Sequence, residues 1–390
     1  VISVSEALDH VFSLVAPLPS ETVALRDALG RVLAAPLTAR LTQPPFPSAA
    51  MDGYAIAART AAPGATYRVI GESAAGHGFW EFVGAGDGVR IFTGAPLPDG
   101  TDRVIIQEDV TRDGDRITLG DRLDTGDHVR AAGQDFRQGD AFQPRGPLRP
   151  IDLALIAAMG HGEVSVTRRP EVAIIATGDE LVAPGETPGP DQIVASNNLG
   201  LAAMIDRAGG RARLLPIARD TTASLDTAFD LARGADMVVT IGGASVGDHD
   251  LVAQVAEGRG MEQSFYKVAM RPGKPLMAGR LDGAPMLGLP GNPVSALVCG
   301  QVFVLPALRV LMGLPAAPAP RQTVPLGTDL PANGPREHYM RASLQDGRAH
   351  VADRQDSALL SVLAGADALV IRPPDDPPRG AGDTVEVIAL

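Results

Sequence analysis

From Arg169 to about Leu314 the sequence alternates short apolar runs with amphipathic helical patterns, and few folds accommodate that alternation. EVAIIATG reads as a strand buried on both faces. SNNLGLAAMIDRAGG reads as a helix capped by Ser196 or Asn197 and stopped at Gly209. RARLLPIA is a second strand, TTASLDTAFDLARG a second helix and DMVVTIGG a third strand. Strands joined in this way build a parallel sheet layered with helices, and ligands bind such sheets at the carboxyl ends of the strands. There the sequence places Thr177-Gly178-Asp179-Glu180, then Asp220, then Gly242-Gly243-Ala244-Ser245-Val246-Gly247-Asp248. Pro290-Gly291-Asn292-Pro293 stands ahead of a helix starting near Val294, and a helix N-terminus is a ready phosphate site. Glu180, Asp220 and Asp250 follow different strands of this sheet, as hard oxygen ligands for Mg²⁺ beside a phosphate would. Any one of them alone reads better as a helix cap or a salt-bridge partner.

The basic residues carry a second signal. The chain has 34 lysines and arginines, and the only lysines are Lys267 and Lys274, in YKVAMRPGKP. A lysine is a compact point charge with rotatable donors, whereas arginine is a planar fork, so two survivors this close together suit oxyanion binding. Gly273 in RPGKP and Gly291 in LPGNP sit beside prolines, which sets a turn and lets backbone N–H groups approach a ligand. Arg271 adds to the local positive charge. This pocket is needed, because the formal net charge is −12 and argues against nucleic-acid binding.

At 390 residues the chain exceeds one ordinary core, and its texture changes along its length. Residues 1–44 and 136–168 are expected to form a helical and extended linking domain. Its helices start with a capping box at Ser3 and Glu6, continue over Leu25–Leu33, and return in IDLALIAAMG, packing together. Residues 45–135 read as an inserted small β domain, 169–314 as the α/β domain, and 315–390 as a C-terminal β-barrel. The inserted domain opens with PPFPSAAMDGYAI, whose turn presents Asp52. Taken alone, Asp52, Thr93 in FTGAP and Asp135 in AAGQDFRQGD are turn residues. No apolar run is expected to span a bilayer, and Val1–Pro17 lacks the pattern of a signal peptide, so a cytoplasmic enzyme is the default expectation. The single cysteine, Cys299, lies in an apolar helical pattern and reads as buried packing.

GGASVG is neither a dinucleotide fingerprint nor a Walker loop, because GKP stands where GK[ST] is required. The seven histidines have no zinc-ligand spacing. Yet SAAMDGYAI, IFTGAPLP, ATGDEL, IGGASVGDHD, KVAMRPGKP and GLPGNPVSA, in this order, resemble the MoeA family of molybdopterin molybdenumtransferases, related to the E domain of gephyrin. The resemblance implies four domains with a MogA-like α/β domain, and a homodimer with a site between subunits. It implies insertion of molybdate into adenylylated molybdopterin with release of AMP, assisted by Mg²⁺ on Glu180 and Asp250. By motif it assigns catalytic roles to Asp52, Thr93, Asp135, Asp220, Lys267 and Lys274. Substrate-binding roles fall to Gly242, Gly243, Ser245, Pro290, Gly291, Asn292, Pro293, Arg336 and Ser357. Transient contact with the molybdopterin adenylyltransferase is a further implication. The chain departs from the family at Thr240-Ile241-Gly242-Gly243, where relatives often read SSGG, and at Arg271, where lysine is common. Two alternatives are an adenylyltransferase on the same α/β domain and a gephyrin-like scaffold without activity.

Overall fold

The computed structural model describes residues 1–243 and 251–390, which fall into two compact units. One unit comprises residues 23–29 and 35–164. Its centre is a six-stranded sheet of β1 (Gly53–Ile56), β2 (Thr66–Ser73), β3 (Asp87–Ile91), β4 (Arg103–Ile106), β5 (Val110–Asp113) and β6 (Arg116–Leu119), in the order β4-β1-β3-β2-β6-β5. β1 is hydrogen-bonded on both sides, and a Cβ on Gly53 would lie 1.9 Å from the Ile105 carbonyl oxygen, so only glycine lets these strands close. The expected all-β texture is thus realised. The helix Pro150–Ala158 also forms, with proline in its first turn and Asp152 bonded back to the Arg149 N–H at 2.8 Å. It lies beside the turn Leu25–Asp27.

That turn is all that forms of the helix expected over Leu25–Leu33. Only a single 3₁₀ turn, Leu25–Asp27, is present, and Gly30 at φ 73° takes the chain out of helical space. A few residues before such a glycine cannot repay the cost of nucleation.

The other unit comprises residues 1–22, 30–34 and 165–390. The helix Val4–Leu14 carries the expected capping box: Glu6 N–H donates to Ser3 Oγ at 3.2 Å and Ser3 N–H to Glu6 Oε2 at 2.8 Å. Its buried face, Val4, Ala7, Leu8 and Val11, is spent on the core of the α/β sheet. The strands there are β7 (Glu171–Ala176), β8 (Arg211–Leu214), β9 (Met237–Ile241), β10 (Glu262–Lys267), β12 (Pro275–Leu281) and β13 (Ala284–Leu289), in the order β8-β7-β9-β13-β12-β10. Short β11 (Met270–Arg271) belongs to a different sheet. β8, β7, β9 and β13 are parallel as expected. β12 runs antiparallel to both its neighbours, β13 and β10, so the sheet is mixed: Asp282-Gly283 closes a hairpin between β12 and β13 that leaves no room for a crossover helix.

Alternate residues of these strands feed two cores. Val172, Ile174, Val239 and Leu287 pack with helices Val4–Leu14, Asn197–Arg207 and Pro293–Leu311. Ala173, Ile175, Val238 and Met286 pack with helices Thr222–Ala232 and Leu251–Gly258. The result is three layers, with each fully buried Val or Ile contributing about 1.5–3 kcal/mol. Pro293–Leu311 corrects the expectation that no apolar stretch reaches membrane-spanning length. It has 19 residues and a mean hydropathy of 1.9, but 83% of that window is buried within the fold.

The C-terminal strands β14 (Gln322–Pro325), β15 (Glu337–Gln345), β16 (Arg348–Val351), β17 (Ala368–Arg372) and β18 (Thr384–Ala389) run in the order β16-β15-β17-β18-β14. A bridge from Leu326 to Ala349 returns the end of β14 to β16 and closes the barrel. β11 pairs with the start of β15, which ties the lysine-bearing loop to this barrel.

Candidate functional site

Three loops at the carboxyl ends of the adjacent parallel strands β7, β9 and β13 form one side of a cleft of about 650 Å³. Thr177 N–H donates to the Ile241 carbonyl at 3.0 Å and Gly242 N–H to the Leu289 carbonyl at 3.1 Å, so the sheet's hydrogen bonds hold the loops in place. Gly242 (φ 98°) and Gly243 (φ 69°) need positive φ, and a Cβ on Gly242 would lie 2.6 Å from the Thr177 carbonyl oxygen. A Cβ on Gly291 would sit 3.5 Å from the Gly242 Cα, which brings LPGNP against the glycine pair. Glu180, Asp220, Gly242, Gly243, Pro290, Gly291, Asn292 and Pro293 all line this cleft. Ser245 and Asp250 lie outside the described residues.

Polar bonds draw a distant segment to the same loops. Asn197 Nδ2 donates to the Gly291 carbonyl at 2.7 Å, and Asn292 Nδ2 to Ser357 Oγ at 3.0 Å. Val294 N–H donates to the Ser357 carbonyl at 3.0 Å, so one first-turn donor of this helix is spent on the protein rather than left for a phosphate.

The acidic side of the cleft is fixed by Arg219, whose Nη1 donates to the carbonyls of Asp179 and Leu181, each at 3.0 Å. Asp220 N–H donates to Asp179 Oδ1 at 3.1 Å. Asp220 is open to solvent on one side, yet partial burial and the negative charges of Asp179 and Glu180 hold its carboxyl above the usual range. The Glu180 carboxylate folds over Gly178, where a Cβ would lie 2.3 Å from Oε2.

The lysine loop borders the cleft through Pro275. Lys274 precedes it, and half-buried Lys267 is its partner across the β10–β12 ladder, with Nζ 5.5 Å from the Tyr266 ring centroid. The Lys274 carbonyl accepts from Val268 N–H at 3.0 Å. Gly273 (φ 110°) fits this turn because a Cβ there would meet Cys299 Sγ at 2.5 Å. Cys299 is the packing residue expected, and burial pushes its thiol far above the range of a reactive one.

Behind the loop lie two groups that the motifs did not single out, Arg341 and His338, beside Arg336, which they did. Arg341 on β15 is fully buried, and its Nη2 donates to the Asp356 carbonyl at 3.0 Å, one residue from Ser357. Its Nε and Nη1 have no partner among the described residues. Burial and the nearby Arg271 push the guanidinium below its ordinary value. His338 is 6% exposed, its Nε2 has no partner among the described residues, and it lies opposite Arg271 in the ladder. Arg336 is exposed at the entry to β15 and gives its carbonyl to Asn333 Nδ2 at 2.9 Å. A signal for Arg341 existed: HYMRASL alternates as a strand, and an arginine within such a run needs a reason to be there.

In the other unit, Thr93 N–H and Oγ1 donate to Asp52 Oδ1 at 2.7 and 2.8 Å, so the two residues assigned by motif form one group. The Thr93 bonds, then Arg90, hold the Asp52 carboxyl below its ordinary range. Arg90 Nη1 donates to the Gly53 carbonyl at 3.1 Å and its guanidinium lies 4.7 Å from the Phe92 ring centroid. Asp135 is exposed in the loop after Gly133, with its N–H on the Gln43 carbonyl at 3.0 Å.

Residues 2–160 match the MoeA N-terminal region (domain I and II), 173–310 a probable molybdopterin binding domain, and 323–390 the MoeA C-terminal region (domain IV). The chain is 35% identical to a molybdopterin molybdenumtransferase of Nostoc sp., over 100% of this chain and 94% of the relative. It is likewise 35% identical to molybdopterin molybdenumtransferase 2 of Mycobacterium tuberculosis, over 94% of each. This chain belongs to the molybdopterin molybdenumtransferase family. The crystal structure of the molybdopterin biosynthesis MoeA protein from Pyrococcus horikoshii superposes with a TM-score of 0.85 at 31% identity, covering 100% of this chain and 99% of that one. The chain has the MoeA fold across the three matched regions. Within this family frame the cleft belongs to the molybdopterin binding region, Arg341 and Ser357 to the C-terminal region, and Asp52, Thr93 and Asp135 to the N-terminal region.

Proposed function

We propose that this protein inserts molybdate into adenylylated molybdopterin, releasing AMP and the molybdenum cofactor. The observation that carries the reading is Arg341, a buried cation with two donors that find no partner among the described residues. It stands one residue from the Ser357–Asn292 bond, on the strand that pairs with the lysine loop. Tetrahedral molybdate is a dianion whose oxygens accept hydrogen bonds, and Arg341, Lys267, Lys274 and Ser357 together supply donors and charge for it. Arg336 would extend the basic rim.

In this reading the glycine loops and LPGNP seat the nucleotide and pterin phosphate, and the lysines hold the dianion against the two thiols of the pterin. Condensation forms two metal–sulfur bonds, and the thiol protons leave with one oxide oxygen as water. Cleavage of the phosphoanhydride consumes a water and frees AMP. Fixing both partners in one cleft removes most of the entropic cost of their meeting. Asp52, held by Thr93, orients a water or the pterin, with Asp135 as a further polar group from the same unit.

A divalent cation at the acidic side of the cleft would offset the negative charge that Asp179 and Glu180 bring beside Asp220, although the described residues assemble no group of three metal-ligating side chains there. Glu180, with Asp250, would hold Mg²⁺, which when bound neutralises phosphate charge and polarises the linkage to AMP. The same reading has the protein act in the cytoplasm as a homodimer. Asp52 and Thr93 of one subunit then complete the site of its partner, and the molybdopterin adenylyltransferase delivers the substrate in a transient contact. The deciding assay supplies adenylylated molybdopterin and molybdate and follows nucleotide products. Molybdate-dependent AMP release supports the transferase, whereas pyrophosphate release from ATP with free molybdopterin supports an adenylyltransferase instead.

A further inference from the structure

Asn292 stands immediately before the helix that begins at Pro293, where an asparagine side chain ordinarily accepts a hydrogen bond from the helix's own first turn. Here it makes no such bond. The Val294 N–H that it could have satisfied goes to the Ser357 carbonyl at 3.0 Å, and the Asn292 side chain crosses to the same residue, its Nδ2 donating to Ser357 Oγ at 3.0 Å. The two residues have exchanged duties. The backbone of Ser357 caps the helix, which frees the Asn292 amide to act on a hydroxyl 65 positions away. Both ends of that bond are held. Asn197 Nδ2 donates to the Gly291 carbonyl at 2.7 Å, which fixes the peptide entering Asn292. Arg341 Nη2 donates to the Asp356 carbonyl at 3.0 Å and Ala358 N–H to Asp356 Oδ1 at 2.8 Å, so Ser357 sits within a tight turn. Asn292, Ala358 and Pro275 line one cleft, which brings the neighbouring Ser357 and Lys274 to its edge.

A hydroxyl carries one hydrogen and two lone pairs, and it rotates to suit its partners. An amide N–H only donates, so against Asn292 the Ser357 oxygen accepts and its hydrogen is left over. Among the described residues nothing takes that hydrogen. The oxygens of a tetrahedral dianion accept hydrogen bonds and donate none. We propose that Asn292 is a positioning residue for molybdate: its amide occupies the acceptor side of Ser357 Oγ and turns the hydroxyl hydrogen toward an oxygen of the dianion. This rests on the reading of Ser357 as a donor to molybdate. It replaces the direct substrate-binding role that the family motif gives Asn292 with one exerted through Ser357. Donation into a hydroxyl oxygen also polarises its O–H, so the amide strengthens the bond that it directs. An aspartate of the same shape does the reverse, because a carboxylate only accepts and draws the hydrogen to itself.

The experiment is a double-mutant cycle on the full-length protein, read by steady-state AMP release with molybdate and adenylylated molybdopterin varied in turn. It compares the wild type, Asn292→Ala, Ser357→Ala and the two combined. Loss of one directed hydrogen bond should raise the KM for molybdate by about threefold to tenfold in either single variant, with the KM for adenylylated molybdopterin unchanged. The double variant should be no worse than Ser357→Ala, because Asn292 acts only through that hydroxyl. A merely structural loss lowers the active fraction and moves neither KM. Asn292→Asp keeps the side-chain volume and should show a larger molybdate defect than Ser357→Ala, which covers the case of a misfolded alanine variant. Additive losses in the double variant, a normal molybdate KM in Asn292→Ala or Asn292→Asp, or a shift of the pterin KM instead overturns the inference while the molybdate site stands. An unchanged molybdate KM in Ser357→Ala would overturn the reading of Ser357 itself.

Discussion

Replacing Arg341 with methionine should make the protein more stable and remove its hold on molybdate. Methionine has similar length and no charge, so the buried volume stays nearly filled. The cost is one hydrogen bond, the 3.0 Å contact from Nη2 to the Asp356 carbonyl, which leaves a buried acceptor unpaired at about 1–3 kcal/mol. The gain is larger. Two buried donors without partners among the described residues, Nε and Nη1, each carry a similar penalty of about 1–3 kcal/mol, and removing the charge relieves its repulsion with Arg271. The balance is a stabilisation of about 1–3 kcal/mol, in line with what replacing buried ionic groups by apolar ones of like volume does elsewhere. Denaturant unfolding at fixed pH without molybdate measures the first effect, and the molybdate dependence of AMP release measures the second. A variant destabilised by more than about 2 kcal/mol that still responds normally to molybdate would refute the reasoning, because Arg341 would then be a structural residue that is fully satisfied.

Lys274→Arg should lose at least about tenfold in rate at limiting molybdate, nearly as much as Lys274→Ala, since a planar fork cannot replace a compact donor in a tight anion pocket. Full activity of the arginine variant removes that role. Asp220→Asn should stabilise the protein near neutral pH without Mg²⁺. The raised carboxyl of Asp220 favours the fold below its unfolded value, and that contribution is lost as pH rises through its folded value. The gain should therefore vanish in acid, and thermal melts across pH that show the opposite trend contradict the assignment of its neighbours. Finally, refolding inactive Asp52→Ala and Lys274→Ala chains together in equal amounts should restore about a quarter of wild-type activity. Half the dimers are then mixed, and each mixed dimer of shared sites has one site free of lesions. No recovery with proven subunit exchange rejects the shared site.

Local sequence determined most of the α/β region. Apolar runs of strand length, Gly209 at φ 99° closing its helix, and the Ser3–Glu6 capping box are decisions taken within a few residues, and each appears where the pattern placed it. The glycine loops were legible for the same reason, because positive φ at Gly242 and Gly243 demands that residue type whatever surrounds it. Leu25–Leu33 misled because helical spacing ignores a glycine that ends the helix after one turn. Pro293–Leu311 misled because hydropathy alone does not say whether an apolar helix meets lipid or the core of its own fold. What no local pattern could decide was which residues meet across the chain. Ser357 reaches Asn292 over 65 positions of sequence, and Asp52 meets Thr93 over 41. Arg341 and His338 sit in an ordinary strand pattern and acquire their character only from their surroundings, Arg341 from burial and the nearby Arg271, His338 from burial and the arginines that β11 and β17 bring alongside. Charge and hydrogen-bonding need are properties of surroundings, and the surroundings of β15 are assembled from strands that lie far apart in the sequence.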